Sequence, residues 1–226
     1  MRNAGPRSRF NWLLGFLLCP TIWGVSAFAA HGQTTYSVDA WPELDLVYRI
    51  DDRNKLIGLF DQSRDRDSGG TYQTEVGVTF EHQFTNSVWG RIGYRHANAT
   101  DGSAFWENRL LLEQTFRVPL PARIMADFRT REDLRWLNTG FSARLRERLQ
   151  VQRDTTIGNY TFTPYVSAEI YFDTRYGQFA RYRLIAGTAF PVTKHVTVEP
   201  YFAHQVDFVG SNAIVHALGL ILTASF

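Results

Sequence analysis

Cysteine is almost missing from this chain: Cys19 is the only one in 226 residues. A disulfide framework is excluded, so stability has to come from backbone pairing and side-chain packing. No glycine-rich phosphate loop leads from a strand into a helix. His31, His82, His96 and His195 share no metal-ligand spacing. The sequence therefore implies neither a cofactor nor a metal. Lysine is scarce as well, with Lys55 and Lys194 standing against 22 arginines. A soluble protein's wet face is normally rich in lysine, whereas arginine suits bidentate pairing with carboxylates in confined space. Beyond residue 29 no apolar run reaches 18 residues, which excludes a transmembrane helix there.

What is present begins with a secretory signal over residues 1–29. Arg2, Arg7 and Arg9 form a basic start, Phe10 to Val25 is apolar, and Ala27-Phe28-Ala29 offers the small residues of a cleavage site. Leu17-Leu18 before Cys19 does not fit a lipoprotein signal. Cleavage after Ala29 leaves a barrel domain of residues 30–226. Of the 24 basic residues three go with the signal, so 21 face 22 acidic ones, a net charge of −1. That balance does not suggest a nucleic-acid surface.

The mature chain alternates with period two, the mark of a strand with two different faces. Over Thr71–Phe84, Tyr72, Thr74, Val76, Val78, Phe80 and Phe84 oppose Gln73, Glu75, Thr79, Glu81 and Gln83. Phe105–Val118, Phe141–Arg153 and Ala213–Phe226 repeat the pattern. Such stretches exceed the ~5–6 residues of globular strands and suit tilted strands that cross a bilayer in ~9–11 residues.

Connections take turns between tight ones (Asp51–Lys55, Thr85–Ser87, Pro119–Ala122, Asp154–Asn159, Pro191–His195) and longer or more polar ones (Arg64–Gly70, His96–Ser103, Glu132–Asn138, Asp173–Gln178, Val209–Asn212). This sidedness belongs to an outer-membrane barrel. Counting from Glu43 gives eleven strands, and bacterial barrels usually have even numbers with both termini on the periplasmic side. Thr35–Ala40, with a bend at Trp41-Pro42, supplies a further strand. The expected fold is all-β, an antiparallel up-and-down transmembrane barrel of about twelve strands, with ten as the alternative.

Alternation alone does not say which face is outside, because a soluble lipocalin-like carrier reverses the faces. The arginine bias, the mixed charge of the polar face and the aromatics near strand ends favour an apolar face in lipid. Those aromatics are Phe84, Trp89, Tyr94, Trp106, Phe116, Phe128, Trp136, Tyr160, Phe172, Phe190 and Phe208. Glu147, Gln114 and His204 fall on the apolar parity against this reading, and Pro164 and Pro200 are expected to mark bulges that change parity locally.

The last strand ends Leu218, Leu220, Leu222, Ala224, Phe226. This resembles the C-terminal signal that barrel-assembly machinery recognises, an extended edge offered for pairing. Several segments resemble a family of bacterial outer-membrane barrels, domain of unknown function 2490. They are Trp106-Glu107-Asn108-Arg109, Arg144-Leu145-Arg146-Glu147-Arg148, Thr163-Pro164-Tyr165 through Glu169, Tyr182-Arg183-Leu184-Ile185-Ala186-Gly187, and the ending from Leu218. The resemblance spans roughly Trp41–Phe226 and implies a fold and an outer-membrane location but no activity.

The expected lumen-lining residues are Arg91, Arg109, Glu113, Asp127, Arg144, Arg146, Arg148, Glu169 and Arg183. Arg144, Arg146 and Arg148 share one strand face, either as a positive stripe along a pore or paired with acids in a filled polar core. The first expectation is a monomeric, non-enzymatic barrel with outer-membrane lipids as its partner, serving passive passage of small solutes or ions, or envelope structure. A lipid hydrolase built on Ser211, Asn212, His216 and His204 and a soluble carrier are the alternatives.

Overall fold

The computed structural model describes residues 34–64, 72–209 and 212–226. The expected signal segment lies outside them. Every regular element is a strand: β1 (Thr35–Arg49), β2 (Asn54–Arg64), β3 (Tyr72–Thr85), β4 (Val88–Ala99), β5 (Trp106–Leu120), β6 (Ile124–Leu137), β7 (Gly140–Arg153), β8 (Thr155–Ile157), β9 (Tyr160–Asp173), β10 (Gln178–Pro191), β11 (Val196–Asp207) and β12 (Ala213–Ser225). Among the described residues no helix is long and apolar enough to cross a membrane.

Eleven strands close a ring, β1 to β7, then β9 to β12, and β12 pairs back onto β1. The short β8 stays outside the ring, bonded to β9 alone and continuing the register in which β7 meets β9. The total of about twelve strands holds, although the ring itself has an odd number. An odd ring of hairpins must contain one parallel pair, and β1 with β12 is that pair. Thr35–Ala40 is therefore no separate strand. It runs through Trp41 and Pro42 into β1, held by β12 alone until β2 joins at Glu43. The two ends of the barrel lie at opposite rims, not at one rim as expected.

Side chains obey the alternation. On the outside, Val76, Val78 and Phe80 of β3, Leu112 and Phe116 of β5, and Leu218, Leu220 and Leu222 of β12 are exposed. On the inside, Glu75, Glu81, Glu107, Arg109, Glu113, Asp127, Arg131, Asp133, Arg135, Glu169 and Asp173 are buried. This distribution is the reverse of a soluble protein's, in which charged residues are almost never fully buried unless paired.

Two expectations about parity fail. Pro164 and Pro200 mark no bulge: β9–β10 pairing keeps its register through Pro164, and β11–β12 pairing keeps it through Pro200. The register shifts lie at Gln83/Thr85 and Phe179/Arg181 instead. The second turns Phe179 outward yet Arg181 and Arg183 inward. Because parity is intact near the prolines, Glu147 and Gln114 do point outward, where Glu147 accepts a hydrogen bond from Thr130 at 2.8 Å. Trp89 corrects the aromatic reading. It stands on the inward parity of β4, beneath the guanidinium of Arg117 at 4.9 Å, while Phe84, Tyr94, Trp106, Phe116, Phe128, Trp136, Tyr160 and Phe208 are exposed.

The connections are shorter than expected. β6 runs to Leu137 and turns through Asn138-Thr139 into β7, so the segment read as a loop from Glu132 is strand. The β5–β6 turn lies at 121–123, where Ala122 and Arg123 both adopt positive φ, 62° and 60°. Left-handed backbone at two consecutive positions matches the twist of a tight hairpin but is unfavourable for side chains other than glycine.

Candidate functional site

The interior wall is built by cross-strand rows of inward side chains. Alternation puts a charge at every second position of β6 (Asp127, Arg129, Arg131, Asp133, Arg135), and the antiparallel register sets these beside Arg117 to Arg109 of β5 and Gln150 to Ser142 of β7. Two relays of ion pairs result. One passes from Lys55 to Glu81 (2.9 Å), Arg91, Glu113 (3.1 Å), Arg129 (3.6 Å), Glu169 (2.9 Å) and Arg146 (3.0 Å). The other passes from Arg95 to Glu75 (2.7 Å), Arg109 (3.3 Å), Glu107 (2.7 Å), Arg135 (2.6 Å), Asp173 (3.0 Å) and Arg144 (3.3 Å). Arg117 grips Asp127 through Nε and Nη2 at 2.7 and 2.8 Å.

Of the nine candidate lumen residues the relays join six, Arg91, Arg109, Glu113, Arg144, Arg146 and Glu169, and Asp127 stands apart, paired with Arg117. Arg183 donates Nε and Nη2 to Gln205 at 2.9 and 2.6 Å and lies over the Trp41 ring at 4.7 Å. Arg148 makes no ion pair or hydrogen bond among the described residues, and its buried Nε has no partner.

Sequence reasoning missed the most enclosed charges. Asp133 and Arg135 are 0% exposed, yet both fell in a stretch read as a loop. The signal was the unbroken alternation of Arg129, Arg131, Asp133 and Arg135 with Thr130, Glu132, Leu134 and Trp136, obscured because Glu132 puts a charge on the apolar parity. Tyr171 was missed too. It is 2% exposed, and the guanidinium groups of Arg146, Arg181, Arg183 and Arg144 stand within cation–π range of its ring at 4.7, 5.4, 5.7 and 5.9 Å. Its hydroxyl donates to Glu169 at 2.5 Å and accepts from Arg146 at 3.1 Å.

A polar cavity of about 240 Å³ remains inside. One wall carries Glu43 and Asp61, directly opposed across β1 and β2. The other carries Arg129, Arg131, Arg144, Arg146 and Arg148. Such a cavity can attract and orient charged or dipolar solutes. The alternative hydrolase reading places its residues at the outer rim facing lipid, not in this cavity. His204 and His216 face outward, 3.0 Å apart, with the Tyr182 hydroxyl 3.4 Å from His204, and Ser211 lies outside the described residues. Among the described residues no group of three or more acidic, histidine or cysteine side chains could hold a metal ion.

A family model described as protein of unknown function (DUF2490) matches residues 38–215. No curated protein matches the chain. Among solved structures, a bacterial polysaccharide outer membrane secretin superposes with a TM-score of 0.50 at 8% identity, over 76% of this chain. The match covers 64% of that chain, and at this identity the likeness is one of fold.

Proposed function

Starting from the fact that the chain belongs to the DUF2490 family, we propose that it is an outer-membrane β-barrel whose ion-paired lumen restricts passage to water and small solutes, with no catalytic role. The observation that carries the reading is the inversion of faces: leucine, valine and phenylalanine side chains cover the outside while carboxylates and guanidiniums are enclosed. In water that exterior would be a very large apolar patch, far beyond the few hundred Å² a soluble monomer tolerates. Hydrocarbon removes the cost, and a closed ring leaves no unpaired strand edge in lipid. A carrier for apolar ligands would need an apolar lumen, and this one is lined by charge.

The ion-pair relays favour a narrow passage. A carboxylate held by two guanidiniums is a fixed part of the wall, so the lumen resembles a polar core with residual space more than an open pore. Cell fractionation tests the location, with the protein expected in outer membranes and resistant to extraction without detergent. Planar-bilayer recording tests the passage. Small conductance steps are expected, and Arg146→Ala should change their size or ion selectivity by removing a cation from the wall. Recovery of the protein in the periplasmic extract would sink the proposal.

A further inference from the structure

Charge in the lumen is balanced locally almost everywhere, and the exceptions are arranged. Arg148 of β7 has Arg129 and Glu169 as its cross-strand neighbours. Glu169 is already engaged by Arg129 at 2.9 Å, by Arg146 at 3.0 and 3.1 Å, and by the Tyr171 hydroxyl. Arg148 is left without an acid in ion-pair or hydrogen-bond contact among the described residues. On the other side, Glu43, Asp61 and Glu75 form one cross-strand row, and only Glu75 has arginines of its own. Glu43 and Asp61 make no ion pair or hydrogen bond among the described residues, and one buried oxygen of Asp61 has no partner. Two carboxylates set directly opposite do not both ionise readily, and they share a proton unless a cation stands between them.

The ring prevents these groups from answering each other. From β2 to β7 is five strands by way of β3, and from β1 to β7 is five strands by way of β12. Arg148 therefore stands across the barrel from Glu43 and Asp61, and all three line the same cavity. Two further groups line it with capacity unspent. Gln73, 5% exposed, has an unpartnered Oε1, and Arg131, 3% exposed, has an unpartnered Nη2. Buried polar atoms without partners are costly, and an acceptor and a donor left over in one cavity invite a polar ligand.

We propose that this cavity binds a small zwitterionic solute, its carboxylate toward Arg148 and its ammonium toward Glu43 and Asp61. A simple anion would answer Arg148 but meet repulsion from the acidic wall. A simple cation would have the converse difficulty. A molecule with both charges on one short chain answers both walls and adds no net charge. At about 240 Å³ the cavity falls just below the usual range of small-molecule sites, which suits a short solute.

The inference rests on the outer-membrane reading for its biological sense, but its test does not. Purified barrel in detergent micelles at low ionic strength, where screening is least, is titrated calorimetrically with γ-aminobutyrate, butyrate and butylammonium, three probes of one chain length. γ-Aminobutyrate should bind about tenfold or more tightly than either singly charged probe. Arg148→Gln should remove its advantage over butylammonium, and Glu43→Gln with Asp61→Asn should remove its advantage over butyrate. Heat-modifiable migration on a gel shows that each variant is a folded barrel. Equal binding of all three probes, preference for butyrate, or no binding by folded protein would overturn the assignment. Insertion of the same protein into liposomes is scored separately, so a failed outer-membrane reading and a failed ligand assignment give different results.

Discussion

Arg135 of β6 donates Nε and Nη2 to the two carboxylate oxygens of Glu107 at 2.8 and 2.6 Å, and Nη1 to Asp173 at 3.0 Å. One guanidinium thus fastens β5, β6 and β9 together near the rim of the longer connections. Removing one partner of such a buried arrangement leaves uncompensated charge, which costs about 3–5 kcal/mol. Arg135→Ala should lose stability of that order, read as a shift in the urea midpoint of reversible unfolding in micelles. Adding Glu107→Gln should recover part of the loss, because it withdraws one of the stranded carboxylates.

Glu147 gives the opposite expectation. Its carboxylate sits mid-strand on the outer face with Thr130 as its partner, and a lipid-facing charge is destabilising by up to a few kcal/mol. Glu147→Leu should stabilise the barrel in bilayers by about 1 kcal/mol, with the gain measured in liposomes. Destabilisation there would show that the outer face at this point meets something other than lipid.

The Pro121-Ala122-Arg123 turn holds Ala122 at a φ of 62°. Ala122→Gly should raise stability, since left-handed backbone costs an L-residue about 1–2 kcal/mol that glycine does not incur, less the extra freedom glycine gains when unfolded. A net gain of about 0.5 kcal/mol is expected, visible as slower thermal unfolding.

Asp51 lies in the exposed β1–β2 turn. The side-chain amide of Asn54 donates to it at 2.7 Å and the N–H groups of Arg53 and Asn54 at 2.8 Å. These hydrogen bonds, that from the Asn54 side chain first, hold its carboxyl below the ordinary aspartate value. A group depressed on folding stabilises the fold above its unfolded pKa and loses that contribution as pH falls through the folded one. The barrel's denaturant midpoint should fall on going from pH 7 toward pH 3, and Asp51→Ala should show a smaller fall.

The sequence by itself determined the strands and their two faces. Period-two alternation such as Tyr72–Phe84 has the repeat of an extended strand, and arginines and acids on its polar face can be enclosed only as partners. It also carried the residues of the polar interior, because parity is a local property. What it did not carry was the ring. Whether Thr35–Ala40 is a strand of its own or the start of β1 depends on pairing with β12, 178 positions away in sequence, and the parallel closure follows from that contact alone. The bulge at Phe179/Arg181 and the inward turn of Trp89 depend on neighbouring strands in the same way.

Tertiary structure likewise decided which charges are satisfied. Arg144, Arg146 and Arg148 look equivalent in sequence, two residues apart on one face. Register sets Arg144 opposite Asp173 and Arg148 opposite Glu169, but Arg146 reaches diagonally to Glu169 and leaves Arg148 facing a carboxylate already taken. Alternation fixes direction because it is set by the geometry of adjacent peptide units; partnership is set by strands meeting across the barrel, and no local rule contains it.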